Sequence, residues 1–150
     1  MKRPFKDPII IENNVQVWGF CSIHPEAKLG KNVVIGAFTN ICGPVEIGDD
    51  TRIQGFCFIP YGVTIGKRVL IGPNVTFTND KYPRVKQRWT IEPTIVKDGA
   101  SIGAGSVIVP GVTIGENAMI AAGSVVTTDI KNNWLVKGHP ARHIKIFFGR

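Results

Sequence analysis

Large apolar residues recur at every sixth position of this chain: Ile11, Val17, Ile23, Leu29, Ile35, Ile41, Ile47, Ile53, Ile59, Ile65, Ile71 and Phe77, without a miss. The row resumes at Val96 and runs through Ile102, Ile108, Ile114, Ile120 and Val126, one residue out of phase with the first block. Four residues after nearly every one of these stands a small or β-branched residue, such as Val15, Cys21, Ala27, Thr39, Ala100, Ser106 or Ser124. Glycine often follows the large apolar residue directly, as at Gly36, Gly72 and Gly103, which suits a tight turn.

A period of six is neither the 3.6 of a helix nor the 2 of a plain strand. A short strand followed by a bend, repeated, satisfies it. Three such sides close a triangular coil of eighteen residues, and stacked coils bring equivalent apolar residues into continuous interior rows. The hexads make about six coils, ~29 Å tall at ~4.8 Å per coil. The expected fold is therefore all-β: a single domain over 1–150, with a parallel β-helix over 11–130. Residues 1–10, with Pro4 and Pro8, form an N-terminal cap or arm, and 131–150 a C-terminal tail. Within that tail the rhythm fades. The 131–140 stretch reads as extended, and 141–148 as a short helix or a last strand. Ile144, Ile146, Phe147 and Phe148 are expected to pack on the coil or on a neighbouring subunit.

The break between Phe77 and Val96 predicts one external loop, about 79–93. A long excursion from a compact repeat is usually functional or disordered, with a subunit-packing loop as the alternative. This one holds Tyr82, Trp89, Lys81, Arg84, Lys86, Arg88, Asp80 and Glu92, a mixture of aromatic and charged groups suited to binding.

Composition narrows the classes. The net charge of +7 favours an anionic partner. The cations are dispersed rather than massed on one element, which argues against a nucleic-acid surface. No apolar run of ~18 residues predicts membrane insertion, and the basic start lacks the apolar core of a signal peptide. Three cysteines, Cys21, Cys42 and Cys57, form no C-x-x-C pair. Most of them, Cys21 and Cys57 among them, fall at small interior positions, and together they predict a reducing, cytoplasmic setting rather than disulfides.

The hexad ladder resembles that of the hexapeptide-repeat acyltransferases, whose fold is the left-handed parallel β-helix. The loop stretch Phe77-Thr78-Asn79-Asp80-Lys81-Tyr82-Pro83-Arg84 resembles the subgroup that N-acetylates nucleotide-linked 3-amino sugars. Ile102-Gly103-Ala104-Gly105-Ser106, Ile120-Ala121-Ala122-Gly123-Ser124 and the tail Gly138-His139-Pro140-Ala141-Arg142 extend the likeness. The resemblance implies acetyl-CoA as co-substrate, a homotrimer with sites shared between subunits, and a role in surface polysaccharide or glycoconjugate building. It further implies Ala104 and Ala122 at corners that admit the pantetheine arm, and Lys137 and Arg142 near the CoA phosphates. Tyr82 and Arg84 fall to the nucleotide-sugar side.

An attacking amine must be unprotonated, because an ammonium has no lone pair. Asn79 is the candidate for orienting it or polarising the thioester carbonyl. Asp80 is the candidate for holding the amine or taking its proton, with a structural turn as the alternative role. Related O-acetyltransferases use a loop histidine as base, whereas the histidines here are His24, His139 and His143, all outside the loop. That absence favours an amine over a hydroxyl acceptor. The alternatives are O-acetylation of a sugar or small hydroxyl, a non-enzymatic structural β-helix, and a zinc hydratase. The last would need three protein ligands that these histidines do not supply, so no metal is expected.

Overall fold

Short strands of two or three residues alternate with bends, mostly of four residues, from Val15 to Val126 in the computed structural model, which describes residues 8–148. Each strand turns one side chain inward and its neighbour outward: Ile35 is fully buried beside half-buried Val34. Three parallel faces result. Face A stacks Val15–Val17, Val34–Ile35, Arg52–Ile53, Leu70–Ile71, Ser101–Ile102, Met119–Ile120 and Trp134–Gly138. Face B stacks six strands from Ser22–Ile23 to Val125–Val126, and face C five from Lys28–Leu29 to Thr113–Ile114. The architecture is a parallel-strand solenoid of the left-handed β-helix type. We name its edges AB, BC and CA after the faces they join.

Register follows the hexads. Ile35 pairs with Ile53 and Ile53 with Ile71. Across the loop the pairing jumps, Ile65 facing Val96 and Ile71 facing Ile102. The phase restarts at Val96, as its burial beside exposed Ile95 shows. Interior Ile53, Ile59, Ile71, Ile102 and Ile120 are fully buried, each worth about 1.5–3 kcal/mol in apolar transfer. Hydroxyls at the small interior positions are satisfied locally. Thr51 donates to Gly66 O at 2.8 Å, and Ser124 to Ala121 O at 2.6 Å, so polar groups enter the core without an unmet hydrogen bond.

The ends of the coil differ from the sequence expectation. Ile11 is not an interior rung. Ile9–Ile11 runs antiparallel to Val15–Val17, and Ile11 is 45% exposed. The rest of the N-terminal arm, residues 1–7, lies outside the described residues. At the other end the ladder goes beyond 130. The last coil is two residues shorter, so Ile130 bridges Ile114 and Val136 pairs with Ile120. This shortening is why the rhythm fades after Val126. The tail is a hairpin, Trp134–Gly138 antiparallel to Ala141–Ile146, which gives face A a seventh rung. Residues 141–146 are thus the strand of the two options read. Ile144, Ile146 and Phe148 stay exposed on this chain, and only Phe147 of that cluster is half-buried.

Candidate functional site

The loop occupies 78–93 and springs from the BC edge, between Thr76–Phe77 and Thr94–Val96. Its neck is tied by backbone. Glu92 N–H donates to Asn79 O at 3.2 Å, and Gly111 N–H donates to Glu92 O at 3.2 Å. Asn79 stands one coil below Tyr61, and its Nδ2 donates to Tyr61 O at 3.1 Å. Only the NH2 end of an amide can donate to a carbonyl, so this bond fixes the orientation of the side chain. Its Oδ1 has no protein donor among the described residues. Asp80 Oδ1 accepts from Tyr82 N–H at 3.0 Å, a turn that aspartate commonly makes. The aspartate therefore has a structural bond whatever else it does.

Asn79 and Asp80 together line a cavity of about 230 Å³, with Thr78, Pro83, Trp89 and Phe58. Tyr82 and Arg84 do not line it. Tyr82 is 74% exposed, with the Lys81 ammonium 6.0 Å from its ring centroid, and residues 81–90 are exposed throughout. Phe58 escaped the sequence reading. It enters the cavity because it stacks one coil above Thr76, and outward-facing strand positions carry no periodic apolar signal.

The four cofactor candidates gather on the AB edge. Ala104 and Ala122 sit on successive corners, linked by Gly123 N–H donating to Ala104 O at 2.8 Å, and both are exposed. Gly105 and Gly123 take φ of 68° and 70°, and an added Cβ at either would meet nothing within 4 Å. The surface beside the alanines is open. Directly below, Ala121 N–H donates to Val136 O at 2.9 Å, and Gly138 N–H reaches Ser124 Oγ at 3.3 Å. These bonds hold the hairpin under Ala122. Lys137 and Arg142 face each other across it; directly opposed residues share a face. Since Val136 is buried, Lys137 points outward.

Face B separates the two groups, with Asn79 and Asp80 at the BC edge and the cofactor candidates at the AB edge. One chain alone does not bring them together. His139 stands in the hairpin turn between Lys137 and Arg142, whereas the other two histidines are engaged elsewhere. His24 Nδ1 accepts from Glu26 N–H at 3.2 Å, and His143 packs tilted against Trp134 with centroids 4.2 Å apart. Among the described residues no group of three His, Cys, Asp or Glu is arranged to hold a metal ion. Burial pushes the Cys57 and Cys21 thiols up, and they donate to Gly72 O and Gly36 O, which leaves them unsuited to nucleophilic work.

Residues 8–43, 44–79 and 93–128 match the family of bacterial transferase hexapeptide proteins (six repeats). The chain belongs to this family. In this hexapeptide protein the interval that the repeats leave unmatched, 80–92, is the loop. A relative is the dTDP-3-amino-3,6-dideoxy-alpha-D-galactopyranose 3-N-acetyltransferase of Aneurinibacillus thermoaerophilus, 67% identical over 49 residues. The match covers 33% of this chain and 26% of that one, and the hexapeptide chain spans about a quarter of the length of the curated relatives it matches. A hexapeptide-repeat acetyltransferase of Vibrio cholerae, solved with acetyl coenzyme A, superimposes with a TM-score of 0.68 at 32% identity, covering 80% of this chain and 70% of that one. A mutant of AntD, an N-acyltransferase from Bacillus cereus solved with dTDP and coenzyme A, gives 0.82 at 25% identity, covering 91% and 82%.

Proposed function

We propose that this chain is an acetyl-CoA-dependent N-acetyltransferase acting on the amino group of a nucleotide-linked amino sugar. It works as a cytoplasmic homotrimer in the building of surface polysaccharide. The observation that carries the reading is the AB edge: corner alanines and a Lys–Arg pair, drawn from separate motifs, fall on one open line of the prism. Small corners let a pantetheine amide approach backbone groups, and a paired ammonium and guanidinium suit phosphate. The dTDP-amino-sugar N-acetyltransferase and the dTDP-bound AntD named above support the acceptor class.

In this mechanism the cofactor edge of one copy faces the loop of the next. The neutral amine attacks the thioester carbonyl carbon. A C–N bond forms, the C–S bond breaks, and the proton shed by the nitrogen ends on the CoA sulfur. Asn79, held by Tyr61, has a second N–H for the developing oxyanion and an Oδ1 for an amine hydrogen. Asp80 Oδ2 stays available to hold the amine before it loses its proton. Tyr82 and Arg84, on the exposed side of the loop, meet the acceptor from the neighbouring copy, with Arg84 toward a diphosphate.

The test is CoA release from acetyl-CoA, followed with a thiol reagent, across UDP-, GDP- and dTDP-linked amino sugars. The reading expects rapid release with one of them. Release with simple hydroxyl sugars alone overturns the amine acceptor.

A further inference from the structure

Above the cofactor candidates, the same AB edge carries a feature to which the mechanism above gives no role. Phe20, Phe38 and Phe56 occupy equivalent corners of three successive coils. Their rings stack with centroids 5.0 and 4.8 Å apart, at 13° and 12° to one another. All three adopt a left-handed backbone, with φ of 62°, 60° and 61°. Bulky residues resist that conformation, and where it persists the strain usually serves a site. The same corner one coil lower holds Asn74, and further down Gly105 and Gly123, residues that accept it readily. Nor does burial within the chain explain the phenylalanines, which are 75%, 42% and 60% exposed on one copy.

A groove of about 480 Å³ runs beside the ladder on face A, walled by Trp18, Phe38 and Phe56, with Arg52 and Gln54 in its lining. No carboxylate of the described residues pairs with Arg52. A lone guanidinium among aromatic walls matches a molecule that is flat and apolar at one end and anionic at the other. Gln54 adds a side chain that both donates and accepts. Trp18 belongs to the first coil, Arg52 to the third, Asn79 to the fourth and Ala104 to the fifth. A ligand entering base-first would therefore lie with its anion toward the coils that carry the acyl-transfer candidates, ~14 Å below Trp18 at ~4.8 Å per coil.

We infer that this groove is the nucleotide subsite of the acceptor, the base packing against Trp18 and the phenylalanine ladder and the diphosphate meeting Arg52. The inference rests on the nucleotide-sugar reading above.

The fold itself offers a gentle variant, since Phe→Asn installs the residue that Asn74 already supplies one coil below. Titration calorimetry with dTDP, UDP and GDP would compare the wild type with Phe38→Asn, Phe56→Asn and Arg52→Gln. Kd for CoA, Tm and sedimentation mass are recorded on the same samples. The inference expects at least one nucleotide to bind the wild type. Each variant then weakens it by about ten- to a hundredfold, with mass and CoA affinity unchanged and Tm level or higher. Unchanged nucleotide affinity in the variants overturns the inference alone. A fall in mass also overturns it, making the ladder a contact between copies; a fall in Tm with nucleotide affinity kept makes it a structural stack. A wild type that binds CoA but no nucleotide overturns the acceptor reading, and this subsite with it.

Discussion

Thr51 shows how a single polar residue is licensed inside an apolar row. Fully buried, it donates to Gly66 O at 2.8 Å and accepts from Val69 N–H at 3.1 Å. Thr51→Val keeps the shape but strands both partners, so urea denaturation should report a loss of about 1–3 kcal/mol. Asp49 is a surface counterpart. The Lys31 backbone N–H and the Lys67 ammonium, 3.0 Å away, hold its carboxyl below the usual carboxylate range. Its contribution is therefore complete above the ordinary carboxylate range and is lost as pH falls through its lowered folded value. Asp49→Asn should flatten the acid limb of a Tm-against-pH profile. At the loop, Asn79→Ala is expected to lower kcat by about 10²- to 10³-fold while leaving Kd for CoA unchanged. Ala104, Ala122 and Arg142 could be nominated one by one because each sits in a short local motif. Phe58 and the Tyr61 carbonyl were not, because they meet Asn79 only through a register eighteen residues long.

At the scale of elements, the coil was legible because each hexad repeats one local event, an inward side chain and a bend. The hairpin was not, because its pairing is antiparallel and has no period. Ile11 was misread as a rung for a related reason: an apolar residue at the sixth position looks the same on an edge strand as in the core. Substitution separates the two cases. Ile71→Ala, at a fully buried rung, should cost about 2–5 kcal/mol. Ile11→Ala, nearly half exposed, should stay within about 1 kcal/mol by its smaller loss of buried area. The loop is separable from the coil in the same sense. Its residues 81–90 are exposed, and Thr78 and Thr94 already stack in register with the coils around them. Replacing 79–93 by a corner of ordinary length should leave circular dichroism and Tm near wild type while abolishing acyl transfer. A collapse of the coil instead would make the loop a folding element.

For the whole molecule, the governing fact is that the two groups of candidate residues sit on different edges of one prism, with face B between them. The tied loop neck and the hydrogen bonds pinning the hairpin hold each half in place, so no modest flexing of the chain joins them. Packing one copy's BC edge against the next copy's AB edge is a head-to-tail contact, which closes into a ring when the rotation permits. Three copies would then carry three sites. The most direct test mixes two inactive parents. Asn79→Ala damages the loop, and Ala122→Trp fills the cofactor edge. The two are unfolded and refolded together at equal amounts, with mixed assembly verified by mass. A site shared between copies predicts recovery to roughly a quarter of the wild-type rate, the fraction of interfaces in which an intact loop meets an intact edge. Mixed assemblies that stay as inactive as their parents would contradict the account and return both halves of the site to a single chain.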